Sequence, residues 1–228
     1  VVEGAKLSDD LIGCGLEAES VFITPTAKNQ QWCAAHTALP CEIVSEKVMQ
    51  EMSDEVTPQG VLTLFRMPVP PVTKLLQTAS RVLILDHIQD PGNLGACFRI
   101  AAGAGCDHVI TTLGCVDIYN PKVLRGGMGA HGRLHIYTMS WSEIGAVCAH
   151  MTIYGTAAKG DMTYEQVNWA KPSAIIIGNE ANGMSESAQK ILHKTIFIPL
   201  ANQVESLNAA VSCGIILFES SRQMRQAA

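Results

Sequence analysis

"DPGNLGACFRIAAGAG", residues 90–105, follows the apolar run "RVLILD" and decides how the chain is read. A short run that is apolar throughout is a strand covered on both faces, and "NLGACFRIAAGAG" reads as a helix ending at glycine. A strand-to-helix turn rich in glycine invites a nucleotide-binding reading. The dinucleotide fingerprint is nevertheless absent: Gly103-x-Gly105 lacks the third glycine and follows a helix rather than a strand. No G-x-x-x-x-G-K occurs either. Asn93, Gly95 and Arg99 stand where three glycines would be. Arg99 falls among Ala, Cys, Phe and Ile, and an arginine in so small-sided an apolar helix is expected to need a partner. A structural salt bridge is the plainest account of it.

Downstream of this turn the pattern keeps alternating. "HVITT" is a strand, "NPKVLRGGMGA" a short helix with Pro at its start, "RLHIY" a strand and "SEIGAVCAHM" a helix. "TIYGT" and "SAIIIG" are strands, "SESAQKILHK" a helix, "TIFIPL" a strand, and a last helix runs from about Ser206 to Met224. The reading is an α/β domain with a doubly wound parallel sheet, with ligands expected at the carboxyl ends of its strands. Upstream, "MPVPPVTKLLQTAS" places three prolines in five residues and reads as an extended linker. Before it, "KLSDDLIGCGLE", "SVFIT", "SEKVMQEMS" and "GVLTLF" give helix, strand, helix and strand, enough for a small α/β domain. The expected division is residues 1–76 and 77–228.

The 228 residues are 47% hydrophobic and 16% charged, a well-cored composition with no sign of disorder. No apolar run approaches the ~18 residues of a membrane span. The sequence begins at Val1, so any targeting segment lies outside these residues. Eight scattered cysteines include no C-x-x-C pair, which argues against a zinc ribbon and for a reducing compartment. His131 and His135 are four apart, but Gly132 and the following strand spoil a helical metal face, and no metal site is expected. The net charge of −5 does not mark a nucleic-acid binder. It is uneven: residues 1–76 carry five Lys/Arg against ten Asp/Glu, and the remainder is balanced.

Three strand ends are expected to converge on one crevice. They are the opening stretch, "IIIGNEANGM" with Gly178, Asn179, Glu180 and Gly183, and "IPLANQVESLNAAV" with Ser206, Leu207 and Asn208. Each has an ordinary alternative. The glycines fit turns, Ser206 fits a helix N-cap, and Glu180 fits a solvated charge. Ser206 lacks a G-x-S-x-G elbow, so hydrolase chemistry is disfavoured.

Taken together, the three stretches resemble the SpoU (TrmH-like) family of S-adenosylmethionine-dependent RNA ribose 2′-O-methyltransferases of the SPOUT superfamily. N-x-G-x-x-x-R is matched by Asn93, Gly95 and Arg99, and G-[NS]-E-x-x-G by Gly178, Asn179, Glu180 and Gly183. I-P-[ML] followed by S-L-N is matched by Ile198-Pro199-Leu200 and Ser206-Leu207-Asn208. The resemblance runs from about residue 81 to 220, and "GCVDIYNPKVLRGGMGAH" is similar to the mitochondrial large-subunit rRNA branch. Residues 1–76 resemble the L30/L7Ae-like substrate-binding domain often fused ahead of such enzymes. One departure is the glycine usual after I-P-M, replaced around Asn202-Gln203; Asn tolerates left-handed backbone angles.

The resemblance implies a deep trefoil knot, which the rules of chain connectivity would never propose. It implies S-adenosylmethionine held near Thr156, Ala157, Gly178, Asn179, Ile198, Leu200, Leu207 and Asn208. It also implies an RNA partner, ribosomal RNA first, a homodimer through the knot region or a related heterodimer, and mitochondrial location. Arg99 is an awkward general base because guanidinium stays protonated. Its expected role is to grip the RNA phosphate and the 2′-oxygen, with the phosphate or a transiently neutral guanidine taking the proton. Asn93 would orient Arg99, Glu180 would pair with it, and Ser206 and Asn208 would fix the knot loop and the nucleotide. The competing readings are a non-catalytic RNA-binding ribosome-assembly factor of the same fold and a tRNA 2′-O-methyltransferase. An NAD-type dehydrogenase is disfavoured by the missing fingerprint.

Overall fold

The computed structural model describes residues 1–73 and 79–227. It has two compact units, Val1–Pro68 and Val69–Ala228. The linker reading of residues 67–80 falls in part on residues 74–78, which lie outside the described residues.

The first unit is a four-stranded sheet in the order β1-β4-β2-β3, with β1 at Val2–Glu3, β2 at Ala18–Ile23, β3 at Cys41–Ile43 and β4 at Val61–Phe65. Only the β2–β3 pair is parallel. Its helices are α1 (Ala5–Gly13), α2 (Ala27–Ala35) and α3 (Glu46–Met52). Helix α2 escapes the sequence pattern because "AKNQQWCAA" carries no apolar stripe; Thr26 starts it by accepting the Asn29 N–H. Inside, the Ser8 hydroxyl bonds the Gly4 carbonyl and the Thr63 hydroxyl, so this fully buried polar side chain is satisfied. A disulfide joins Cys33 of α2 to Cys41 of β3, an exception to the free thiols expected of a reducing compartment.

The second unit is a seven-stranded sheet in the order β7-β6-β5-β10-β8-β11-β9, with every pairing parallel. Its strands are β5 (Arg81–Leu85), β6 (His108–Thr112), β7 (His135–Met139), β8 (Thr152–Thr156), β9 (Met162–Thr163), β10 (Ser173–Ile177) and β11 (Lys194–Phe197). The chain steps outward from β5 to β7, crosses to β8, and then inserts β10 between β5 and β8. Alternate residues feed two cores. Leu83, Leu85, Ile175 and Ile177 face one side with α4 (Pro91–Gly103) and α8 (Ala209–Ala227). Val82, Ile84, Ala174 and Ile176 face the other with α6 (Trp141–Val147) and α7 (Glu186–Ile191). Strands buried on both faces are why their sequences are apolar throughout.

Helix α4 ends in a left-handed glycine. Gly105 has φ +67°, its N–H bonds the Ala102 carbonyl, and the Cys106 N–H reaches back to Ala101. Gly95 serves a contact between helices. A Cβ there would lie 2.7 Å from the Val123 carbonyl oxygen and 3.0 Å from Gly126 Cα, so α4 and α5 (Pro121–Gly127) meet backbone to backbone.

Arg81 is buried and anchors the last helix. Its guanidinium donates to the Ala104 and Gly105 carbonyls at 2.8 Å and to the Ser220 and Ser221 hydroxyls at 2.9 Å. Helix α8 begins at Ala209 rather than near Ser206, because the cap is Asn208, whose Oδ1 accepts from the Ala210 and Val211 N–H groups.

Candidate functional site

The carboxyl ends of β5, β10 and β11 lie together, and their loops supply the site. Beyond β10 the chain folds into a tight loop in which Asn179 and Gly183 exchange backbone hydrogen bonds of 2.9 and 2.8 Å. The Asn179 Oδ1 accepts from the Ala181 and Asn182 N–H groups, closing the loop from inside. Gly183 adopts φ +66°. Gly178 is required for a different reason: a Cβ there would lie 2.5 Å from the Gly183 carbonyl carbon. The loop thereby presents Glu180, whose Oε1 accepts from Asn93 Nδ2 at 2.5 Å. Asn93 sits in the first turn of α4, where its backbone N–H donates to Asp90 Oδ1.

The third loop, residues 198–208, turns through two left-handed residues, Asn202 and Gln203, at φ 55° and 58°. Asn202 is suited to this and Gln203 less so. The loop delivers Asn208, whose Nδ2 donates to Asn93 Oδ1 at 2.9 Å. Asn93, Glu180 and Asn208 are therefore one hydrogen-bonded chain drawn from three separate strand ends.

Beside this chain lies an open cavity of about 200 Å³. Thr156, Ala157, Gly178, Asn179, Glu180, Ile198, Leu200, Ser206 and Leu207 line it, every one of them singled out in the sequence. Asn208 stands beside the lining, holding the start of α8. Glu205, Phe197, Ser212 and Ile216 also line the cavity and carried no motif signal. Ser212 and Ile216 come from α8, one turn apart, and helical spacing from Asn208 is the signal that would have found them. Strand β8 is pinned at the wall by the Thr156 hydroxyl on the Ile176 carbonyl and by the Ala157 N–H on Ile196, both at 3.0 Å. The walls combine apolar side chains with a carboxylate and backbone amides from irregular loops. That donor set suits a ligand with a flat apolar ring and a cationic centre.

Arg99 departs from expectation. It is exposed, and it makes no ion pair or hydrogen bond among the described residues. Glu180 pairs with Asn93 instead. Helix geometry explains the separation: six residues at 100° each put Arg99 about 120° around α4 from Asn93. The arginine taken from its sequence neighbours to need an internal partner faces solvent. His131 is buried, with Nε2 on the Ile118 carbonyl at 2.8 Å, and burial pushes its pKa down. Among the described residues no three His, Cys, Asp or Glu side chains are grouped to hold a metal ion.

Comparison with known proteins gives consistent matches. A family model described as "SpoU rRNA Methylase family" matches residues 80–218, and one described as "MRM3-like substrate binding domain" matches residues 1–63. The "rRNA methyltransferase 3A, mitochondrial" of Danio rerio is 31% identical over 98% of this chain and 64% of its own length. The chain thus spans less than two thirds of that relative. The "23S rRNA (guanosine(2553)-2'-O)-methyltransferase RlmP" of Bacillus subtilis is 32% identical over 80% of this chain and 73% of its own. Among solved structures, an AdoMet-bound rRNA methyltransferase from Sinorhizobium meliloti superposes with a TM-score of 0.84 at 26% identity, covering 98% of this chain and 87% of that one.

Proposed function

The chain belongs to the SpoU rRNA methylase family, and from that premise we propose that it methylates a ribose 2′-oxygen in ribosomal RNA, the large-subunit RNA by preference. The observation that carries this reading is the Asn93–Glu180–Asn208 chain at the rim of the cavity. It joins a rim of polar side chains to the largely apolar recess in which the cofactor would lie. S-adenosylmethionine, when bound in that recess, supplies an activated methyl group. The residues to hold it are Thr156, Ala157, Gly178, Asn179, Ile198, Leu200, Leu207 and Asn208.

The chain's own groups then have separate tasks. Asn93, fixed at both ends of its amide, holds the start of α4 against the loop of Glu180, so the acceptor ribose meets a preorganised surface. Arg99, exposed and unpaired among the described residues, is available to an RNA phosphate and to the 2′-oxygen. The 2′-hydroxyl proton would pass to that phosphate or to a transiently neutral guanidine as the new oxygen–carbon bond forms and the methyl–sulfur bond breaks, its electron pair staying on sulfur. Ser206 and Asn208 steady the loop that closes the recess.

The finer reading includes a trefoil knot in residues 77–228 and an L30-like RNA-binding role for residues 1–76. It also includes a dimer through the knot region. Exposed Val211 and Phe218 on α8 support a dimer face, being seven residues apart on one side of the helix. A mitochondrial location is supported by the printed name of the Danio rerio relative.

The test is incubation with methyl-labelled S-adenosylmethionine and unmodified large-subunit rRNA transcript, followed by nucleoside mass spectrometry. One 2′-O-methylated nucleoside is the expected product. RNA binding with no methylated product and no S-adenosylmethionine binding by calorimetry would instead assign the chain to RNA binding alone.

A further inference from the structure

His87, the residue after Asp86 at the carboxyl end of β5, is held more firmly than a loop residue needs to be. Its backbone has φ 55°, a left-handed conformation that costs a non-glycine residue free energy. Three contacts keep it there. Its N–H donates to the Thr112 hydroxyl at 3.1 Å, and its carbonyl accepts from Asn179 Nδ2 at 2.9 Å. Its ring Nδ1 lies 2.6 Å from Asp86 Oδ1. The ring also rests on Gly114, where a Cβ would come within 2.1 Å of it.

Asp86 is fully buried and is itself oriented from two sides. Its Oδ2 accepts from the Ser185 N–H at 2.7 Å, and its Oδ1 also takes the Thr112 hydroxyl at 3.5 Å. A carboxylate only accepts, so Nδ1 of His87 carries the hydrogen. In the neutral imidazole this places the hydrogen on Nδ1 and leaves Nε2 as the acceptor. The imidazole is half-exposed, and Nε2 has no partner among the described residues. Strain, a buried orienting carboxylate and a half-exposed imidazole thus meet one residue from the site loop, through Asn179, on the side of β5 away from the cavity.

We propose that His87 is a positioning residue for the RNA strand: Nε2 accepts a hydrogen bond from a ribose 2′-hydroxyl flanking the nucleotide to be methylated. This rests on the methyltransferase reading above and adds a contact that senses RNA as opposed to DNA. Asp86 acts through His87 by fixing its tautomer.

The test compares His87→Gly and His87→Asn with the unaltered protein. Both residues accept a left-handed backbone, so both variants fold, and thermal melting checks this. The RNA probe is a large-subunit rRNA fragment, read by fluorescence anisotropy and by the KM and kcat of methyl transfer. Both variants are expected to bind RNA about tenfold more weakly and to raise KM, with kcat and S-adenosylmethionine affinity nearly unchanged. One 2′-deoxy substitution among the flanking nucleotides weakens binding to the unaltered protein and has no further effect on His87→Gly. Unchanged RNA affinity in both variants, or a 2′-deoxy penalty that persists in His87→Gly, overturns the assignment. Failure of the unaltered protein to methylate any RNA refutes the methyltransferase reading instead, and the anisotropy comparison still decides the role of His87.

Discussion

Asn93 and Asn208 lie 115 residues apart in the chain and are joined by a 2.9 Å hydrogen bond, Nδ2 of Asn208 donating to Oδ1 of Asn93. The two ends of the Asn208 amide do different work. The oxygen caps α8 and the nitrogen holds the start of α4. Asn208→Ala removes both and should cost about 1 kcal/mol of stability from the lost cap. Asn208→Asp keeps a capping oxygen but sets a carboxylate against the Asn93 oxygen. It should therefore melt close to the unaltered protein while losing methyl transfer. Equal activity in the two proteins would show that only the cap matters.

Arg99 has no structural partner among the described residues, so its removal should leave the fold intact. Arg99→Ala is expected to abolish methylation, with S-adenosylmethionine affinity by calorimetry within about twofold, a difference under half a kcal/mol. Arg99→Lys should recover little, since an ammonium cannot reproduce the planar fork on a phosphate. Normal turnover in the alanine variant would remove Arg99 from the reaction.

Gly178 and Gly183 test two different reasons for glycine in one loop. An Ala at 178 collides with the Gly183 backbone at 2.5 Å, so the Asn179–Gly183 closure must open. An Ala at 183 meets no atom within 4 Å and suffers only from φ +66°, a cost of about 1 kcal/mol. Gly178→Ala should therefore lose cofactor affinity far more than Gly183→Ala does. Calorimetric titration of both variants decides it.

The legible parts of this molecule were those with periodic or motif signals. The parallel strands were readable because burial on both faces makes a sequence apolar from end to end, as in "RVLIL" and "SAIII". The cavity residues were legible through the resemblance of the three loop motifs to a known family, and packing accounts for the glycine at 178, where a Cβ would meet the Gly183 backbone. Asn93 meeting Glu180 and Asn208 instead of Arg99 was not readable, because it depends on where each side chain falls around α4. Helix α2 was missed for lack of an apolar face, and Arg81 gave no sign of its role. Its partners are two serines and two carbonyls far away in the chain, and serine carries no periodic signal.

Burial gives the protein a measurable alkaline weakness. Desolvation pushes the thiols of Cys106 and Cys148 from 9.0 up to about 11. Below pH 9 both folded and unfolded chains hold these protons, and the stability is fully present. Between about 9 and 11 the unfolded chain releases them while the folded one retains them, so stability falls as pH rises through that window. Urea midpoints at pH 8, 9 and 10 should decline, and Cys148→Ala should decline less steeply. An identical slope in the two proteins would show that this thiol does not contribute.

Arg81 makes the strongest stability prediction. Its guanidinium is buried with no carboxylate partner among the described residues, and the carbonyls of Ala104 and Gly105 at the end of α4 take its place. Those carbonyls sit at the negative end of the helix dipole, where a cation is favoured. The same group reaches Ser220 and Ser221, so it ties α4 to α8 behind the cavity. Arg81→Met keeps the length of the side chain and leaves the Gly105 carbonyl and the Ser220 hydroxyl without this donor, while the Ser221 hydroxyl still donates to the Ala104 carbonyl, a loss of about 2–4 kcal/mol. Adding Ser220→Ala should recover part of that loss, because an apolar partner leaves one fewer unsatisfied group, whereas adding Ser221→Ala should deepen it by removing the donor to the Ala104 and Leu217 carbonyls. Denaturant unfolding of these variants and the unaltered protein measures each step. A negligible loss in Arg81→Met would mean that packing alone holds α8 in place.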